Sequence, residues 1–476
     1  MESIWSKSHF IKGRDTLRGD IETDIAVIGA GMAGVLTAYM LQKAGRHAVI
    51  LEADRICGGQ TRNTTGKITS QHRMIYKRLI DTMGEKAAKQ YAFANQNAVE
   101  EYKKLIADER IDCDFEEKNA FLYGQDPDQL AEEAVCAQKL GLPASFVPEL
   151  PAPFGTCGVK FEGQGQFNPV KFIDHISKDL TIYENTRVTS AEGDILITDR
   201  GRVKAKQAVF ACHFPFINFP GMYFAKMHQE RSYILALENA GTVDGMFIGA
   251  EEHSYSVRSY KNLILFGGEG HRTGENAEGD RYEKLRKKAQ EWFPSSREVA
   301  HWSAQDCMTG DSVPYIGKYC ASRPDWYVAT GFQKWGMTSS MVSALLIRVL
   351  ICGRENTYAE VFDPLRMSAE TVSESIKDGG HAVKGIAKAV LGGAEKKIDD
   401  IPEGQGGIIV SDGEKIGIYK DKDGKIYTVD VKCPHLGCQL EWNADELSWD
   451  CPCHGSRFDR FGKLISGPAT EGIARE

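Results

Sequence analysis

At 476 residues the chain is longer than one hydrophobic core usually organises, so two or more domains are expected. With 26% charged and 42% hydrophobic residues the composition is that of an ordinary globular protein. A formal net charge of -8, with no block of clustered Lys and Arg, gives no general attraction to nucleic acid or to an anionic membrane. Residues 1–20 alternate polar and charged groups, and nowhere do about 18 apolar residues run together. Neither a signal peptide nor a transmembrane segment is expected, and the chain reads as cytoplasmic.

The first elements are strand, glycine turn, helix and strand. Asp24 to Ile28 leads into Gly29-x-Gly31-x-x-Gly34, an apolar-periodic stretch follows to Lys43, and Ala48 to Glu52 closes a βαβ unit. Gly29 suits the tight turn out of the strand, Gly31 lets backbone N–H groups approach a pyrophosphate, and Gly34 lets helix and strand pack closely. Glu52 ends the second strand where a ribose hydroxyl would lie. These features together point to a dinucleotide, and NAD and FAD sites share them.

Residues 84–108 carry a long amphipathic helical pattern and 130–141 a shorter one. Arg258 lies in an extended run, Ser254 to Ser259, where its planar fork suits a substrate carboxylate; a surface arginine on a strand is the alternative. Gly268 and Gly270 follow the apolar run Leu263 to Phe266, but the next glycine comes late, at 274, and no helical pattern opens. A loop is expected there, with no second nucleotide site. After Arg366 apolar content thins and glycine pairs punctuate a Lys- and Glu-rich stretch, so 367–400 reads as a partly helical linker. From Gly407 onward short β-rich runs alternate with Asp-Gly turns at 412–413 and 423–424, the pattern of a small all-β domain.

Eight of the twelve cysteines are scattered without regular spacing, as expected of reduced thiols, and four crowd between 433 and 453. Cys433-x-His435 and Cys451-x-x-His454 offer two thiolates and two imidazoles, a set that a tetrahedral zinc site would also accept. Zinc would not require the second pair, Cys438 and Cys453, nor Gly437 and Gly455, nor the turn at Gly467 to Ala469.

Residues 22 to about 365 resemble the D-amino-acid oxidase and sarcosine oxidase superfamily of FAD enzymes. The resemblance is carried by the Gly29 to Glu52 unit, the stretch Gly58 to Gly66, Phe167 to Pro169, Val188 in a mid-chain strand, Val209 to Cys212, Asp311 to Gly317 and Thr330 to Thr338. It implies an α/β FAD-binding, Rossmann-like domain with an inserted α+β substrate domain. The FAD-binding parts fall at about 20–80, 160–225 and 300–366, and the substrate domain at about 81–159 and 226–299. It places Thr61, Arg62, Thr65 and Gly66 in the flavin-contacting loop, and Gly331, Gly336 and Met337 beside the flavin ring. Lys67 either lies near that ring or is solvated. Some relatives attach flavin through a cysteine, but Cys307 sits closer to Asp311 than that pattern wants, so non-covalent FAD is expected.

Residues 401–470 resemble the Rieske [2Fe-2S] domain of the cytochrome bc and b6f type, and 401–476 is taken as that all-β domain. The resemblance implies that Cys433 and Cys451 hold one iron and His435 and His454 the other, and that Cys438 and Cys453 form a disulfide between the two loops. In those relatives a serine and a tyrosine hydroxyl donate hydrogen bonds to cluster sulfur. Ser456 matches the serine, whereas the tyrosine position is Phe458.

The two resemblances imply FAD-dependent oxidation of an amine or amino acid. Electrons would pass from flavin to the cluster, whose two imidazoles set its potential between about -150 and +300 mV, and on to a one-electron carrier protein or a quinone. Two alternatives stand beside this: a reductase fed through the Rieske domain by a ferredoxin-like donor, and a redox-responsive binding protein. A Rieske oxygenase would need a two-His, one-carboxylate iron site, and outside the cluster ligands no two histidines lie close in sequence.

Overall fold

The computed structural model describes residues 2–154, 157–276, 278–366, 368–391 and 397–475. At its centre is a sheet in the order Tyr315–Cys320, Arg323–Thr330, Gly201–Phe210, Ile21–Ile28, Ala48–Leu51, Thr181–Tyr183. Pairing is parallel from Arg323–Thr330 to Thr181–Tyr183, Tyr315–Cys320 runs antiparallel at one edge, and Val188–Glu192 and Ile195–Thr198 form an antiparallel branch on Gly201–Phe210. Ile25 to Ile28 and Ala48 to Leu51 are buried throughout, which is why they read as unbroken apolar runs rather than alternating ones. Ile28 is level with both Leu51 and Phe210, so three strands end together and open a crevice beyond their carboxyl ends. The helices Met32–Lys43 and Gly336–Ile351 pack against each other beside this sheet, and Met32 to Leu41 are all buried.

A second sheet covers the crevice, in the order Arg297–Thr309, Met227–Glu238, Leu263–Arg272, Ser256–Tyr260, Met246–Gly249, Glu116–Gly124, Cys157–Gln166, Lys67–Ile68. Behind it lies the long helix Tyr76–Asp108, broken at Gly84 (φ 82°, ψ 162°). Gly268 and Gly270 belong to the strand Leu263–Arg272, not to the expected loop. A Cβ on Gly268 would come 2.5 Å from the Tyr255 ring, so the glycine allows that ring to lie flat on the sheet.

The helix Ala369–Leu391 does more than connect. Asp378 pairs with Arg272 (2.6 Å) and with His228 (3.4 Å), and Lys388 pairs with Glu441 (2.7 Å), so the helix is tied to both halves of the molecule. Beyond it are two small sheets: Gln405–Ser411, Glu414–Lys420 and Ile426–Asp430, then Glu441–Asn443, Ser448–Asp450, Arg457–Asp459 and Leu464–Ser466. Asp412 and Gly413 both have positive φ (52° and 80°), as a two-residue hairpin turn requires. Among the described residues no helix is long and apolar enough to cross a membrane.

Candidate cofactor sites

The crevice between the two large sheets is a cavity of about 960 Å³. Gly29 takes φ +105° at its edge, and a Cβ there would lie 2.6 Å from the Ala211 carbonyl oxygen. Gly34 packs on the carbonyl of Gly29, and Gly31 caps the helix Met32–Lys43. Thr61 accepts a hydrogen bond from the Met32 N–H (2.9 Å), which ties the following loop to the helix start. Glu52 accepts from the N–H groups of Ala30 (2.7 Å) and Asp54 (2.9 Å), and its burial raises its pKa.

Of the residues singled out in the sequence, Gly29, Gly31, Glu52, Thr61, Thr65, Lys67, Val188, Gly336 and Met337 line this cavity. Gly34, Arg62, Gly66 and Gly331 are not in its lining. Gly66 (φ +69°) is pressed against the Phe167 carbonyl, Gly331 (φ +71°) against the Thr309 side chain, and Arg62 is exposed. A strand-end crevice whose glycine turn and helix N-terminus leave backbone room is a fit for a dinucleotide.

Lys67 is half-buried. It faces the cavity and donates to Ser256 Oγ and the Phe247 carbonyl; burial, with Arg258 and Arg73 nearby, lowers its pKa to about 7. Arg258 corrects both readings made of it, because it is 0% exposed and does not reach the cavity lining. Its guanidinium donates to the carbonyls of Thr65 and Ser259 and lies over the rings of Trp5 (5.4 Å) and Tyr260 (5.7 Å), so it anchors the Thr65 loop from behind. Four arginines line the cavity, Arg73, Arg187, Arg272 and Arg281, and of these Arg73, which was not singled out in the sequence, lies closest in sequence to Lys67. It donates to Ser254 Oγ (3.3 Å), its Nε is buried without a partner, and it makes no ion pair among the described residues.

The second site is built from two matched loops. The Cys433 N–H donates to the Cys438 carbonyl (2.9 Å) and Gly437 N–H to Cys433 O (2.8 Å); the Cys451 N–H donates to Ser456 O (2.8 Å) and Gly455 N–H to Cys451 O (2.9 Å). Gly437 and Gly455, both at φ +77°, close the two turns. The loops are joined by the Cys438–Cys453 disulfide, with Cα atoms 6.6 Å apart. Cys433 and Cys451 are free and buried. The His435 and His454 rings lie 4.9 Å apart, and Nδ1 of each is buried without a partner. Burial lowers their pKa values to about 4 and about 3, so both present the neutral imidazole that a metal needs. The sulfurs of Cys438, Cys451 and Cys453 also lie within 4.8 Å of one another, but two of these are bonded together and offer no ligand set.

Two buried thiols and two orphaned imidazole nitrogens are the donor set of a Rieske cluster. Ser456, fully buried, accepts from the Ala469 N–H (3.0 Å), and its hydroxyl helps lower the pKa of the Cys433 thiol. Phe458, also fully buried, lies across from Trp449 in the same core as the four cysteines.

The two sites share a wall. Gln305, which lines the cavity, donates to the Gly455 carbonyl (2.7 Å), and Gln229 donates to the His454 carbonyl (2.6 Å). Phe214, another lining residue, has its ring 6.4 Å from that of His454. Arg272 donates to the carbonyls of Pro452 (3.0 Å) and Cys453 (3.3 Å). In return Ile465, Ser466, Gly467, Ala469 and Thr470 of the C-terminal domain line the cavity. Glu446 crosses the interface to Arg231 (2.8 Å), Ser303 (2.8 Å) and Tyr282 (3.0 Å).

Known proteins agree with this geometry. The profile of the family described as FAD dependent oxidoreductase matches residues 24–349, and that of the Rieske [2Fe-2S] domain matches residues 394–475. A Bacillus subtilis protein named "Putative Rieske 2Fe-2S iron-sulfur protein YhfW" is 34% identical over 98% of this chain and 96% of its own length. The cytochrome b6-f complex iron-sulfur subunit 1 of Nostoc is 48% identical over 48 residues, 10% of this chain and 27% of that one. Among solved structures, glycine oxidase from Geobacillus kaustophilus gives a TM-score of 0.62 at 18% identity over 73% of this chain and 99% of that one. L-Proline dehydrogenase from P. horikoshii gives 0.61 at 18% identity over 74% and 98%.

Proposed function

Because the chain belongs to the FAD-dependent oxidoreductase family and ends in a Rieske [2Fe-2S] domain, we propose that it oxidises a C–N bond of an amine or amino acid and sends the electrons through its own cluster to a one-electron acceptor. FAD, when bound, takes up an electron pair and gives it back singly, whereas a [2Fe-2S] cluster takes one electron at a time. The observation that carries the reading is the shared wall: Phe214 and Gln305 line the cavity on one side and touch the His454 and Gly455 loop on the other.

Gly29, Gly31 and Glu52 would hold the dinucleotide at the strand ends, with Thr61 and Thr65 along the loop that follows. Arg73 is the group we place against a substrate carboxylate, since its charge faces the cavity and no acidic side chain pairs with it among the described residues. Lys67 stands in the same wall with a pKa of about 7, able to change charge near neutrality. The loop Ile465 to Thr470 closes one side of the cavity and limits access of water from there. The acceptor that receives the electron from the cluster would be a carrier protein or a quinone, and the compartment is the cytoplasm in this reading.

Anaerobic mixing of the holoprotein with a panel of amines and amino acids tests the proposal. Flavin absorbance should bleach with the right substrate, and the EPR signal of the reduced cluster should rise in the same sample. Flavin that stays bleached beside an oxidised cluster would remove the intramolecular path. No bleaching across the panel, with bleaching by a reduced ferredoxin-like donor, would reverse the direction.

A further inference from the structure

The outer edge of the His435 imidazole is held by the flavin-binding half of the molecule. His435 Nε2 lies 2.6 Å from Oδ1 of Asn218, while its Nδ1 is buried and unpartnered. A ring whose Nε2 carries the proton and donates to an amide oxygen presents a lone pair at Nδ1, the form in which imidazole binds a metal. His454 is held differently, with its ring beside Phe214 (6.4 Å) and Phe224 (5.9 Å). Among the described residues it is His435 whose ring nitrogen meets a side-chain amide of the flavin-binding half.

Asn218 is itself well fixed. Its carbonyl accepts from the Met222 N–H (2.9 Å), and the preceding carbonyl, of Ile217, accepts from the Tyr319 hydroxyl (2.7 Å). Tyr319 is 1% exposed and packs against Phe210 at the end of a central strand, so the central sheet fixes the position of the amide. The contact joins residues 217 positions apart, one in each half of the molecule.

We propose that Asn218 is a positioning residue for the cluster: it fixes the proton of His435 on Nε2, aims Nδ1 at the iron site, and lowers the potential at which the cluster accepts an electron. The physical reason is that an acceptor on Nε2–H increases the electron donation of the ring to a metal at Nδ1, and this favours the oxidised cluster. The assignment deepens the electron path proposed above, but the potential it predicts is read on the cluster alone, whichever donor fills it.

The test compares full-length holoprotein as wild type, Asn218→Ala and Asn218→Asp, each assayed for iron and FAD and titrated with the cluster followed by EPR. Asn218→Ala should keep both cofactors and shift the midpoint upward. Asn218→Asp, which puts a carboxylate where the amide oxygen was, should shift it downward. Opposite signs are what a hydrogen bond to the ligand predicts and what loosened packing does not. Equal midpoints in all three proteins, or two shifts of the same sign, would overturn the assignment. If Asn218→Ala loses its iron, Asn218→Asp decides: a midpoint below wild type supports the role, and one unchanged or higher ends it. A wild-type cluster that stays oxidised while substrate bleaches the flavin would count against the electron path and leave the midpoint comparison intact.

Discussion

The flavin cavity draws its walls from residues as distant as Ile28 and Thr470, whereas all four candidate cluster ligands fall between Cys433 and His454. The cavity is shaped by where strands end and by which backbone can come close, so its chemistry is spread over two sheets and the edge of a third domain. The cluster pocket is two short turns with the same hydrogen bonds, joined by a disulfide. The first site depends on tertiary placement, the second on local spacing. They should therefore fail differently when they are altered.

The largest effect belongs to the local site. Cys451→Ser removes one of two thiolate donors from a pocket with no spare ligand, and the substituted chain should hold no iron while FAD content stays near one per chain. Metal analysis beside the flavin spectrum checks this. One zinc and no iron in carefully prepared wild type would instead mean that the pocket is not a Rieske site. Loss of FAD together with iron would show that the cavity depends on the cluster loops more closely than the shared wall implies.

Next is the seam between the regions. Glu446 is buried and accepts hydrogen bonds from Arg231, Ser303 and Tyr282 of one half and from Arg457 (3.2 Å) of its own. Burial alone would raise its pKa, but Arg231 and Arg457 overcome that and hold it at about 2. Glu446→Gln leaves the buried Arg231 guanidinium without its carboxylate partner, while Arg457 keeps Asp450 (2.9 Å), and the loss of one partner costs about 3–5 kcal/mol in comparable buried pairs. The folded pKa lies below the ordinary value of 4.5, so the carboxylate's contribution is complete above pH 4.5 and is lost as pH falls toward about 2. Thermal unfolding of the two proteins should differ most near neutrality and converge in acid. A gap that does not change with pH would mean that lost packing, and not lost charge, explains the variant.

These contrasts also mark what could be read beforehand. The glycine turn, the place of Glu52 at a strand end, the gathering of two thiols and two imidazoles, and the disulfide pair were legible because each lies within a few residues of a recognisable strand end or turn. Arg73, Asn218 and Glu446 were not, since nothing local distinguishes them from surface polar residues until the fold brings Ser254, His435 and Arg231 beside them. Arg258 was misread for the same reason: its partners are the Thr65 loop and Trp5, which its neighbours in sequence do not reveal. Gly268 and Gly270 were taken for a loop because glycines in a strand look like a break unless the Tyr255 ring that needs the space is known.

Within the cavity, Lys67 allows a pH test. Its pKa of about 7 means that acid adds a positive charge to the wall that holds Arg73, so a substrate carboxylate should bind more tightly below pH 7 than above it. A charged hydrogen bond worth about 1.5 kcal/mol corresponds to roughly tenfold in KM. Steady-state assays from pH 6 to 8 should show KM rising with pH, and Lys67→Met should flatten that rise. A substrate amine without a carboxylate would reverse the trend, which makes the same measurement a test of substrate class.

The smallest expected effect returns to the cluster and concerns one oxygen atom. The Ser456 hydroxyl helps lower the pKa of the Cys433 thiol, whereas Phe458, which the resemblance to bc-type domains sets at their tyrosine position, has no hydroxyl to offer. Reduction adds negative charge to the cluster, so each donor to its sulfur favours the reduced state. If such a bond is worth about 1.5 kcal/mol more after reduction, its absence lowers the potential by roughly 60 mV in a one-electron couple. Phe458→Tyr should therefore raise the midpoint by tens of millivolts on the same arithmetic, and Ser456→Ala should lower it. Phe458 is 0% exposed, so an added hydroxyl that misses the sulfur would be buried without a partner and would cost about 1–3 kcal/mol of stability instead. Redox titration and thermal unfolding of the same variant separate the two outcomes. A raised potential at unchanged stability places the ring against the cluster; lowered stability at an unchanged potential places it in the β core behind, facing Trp449.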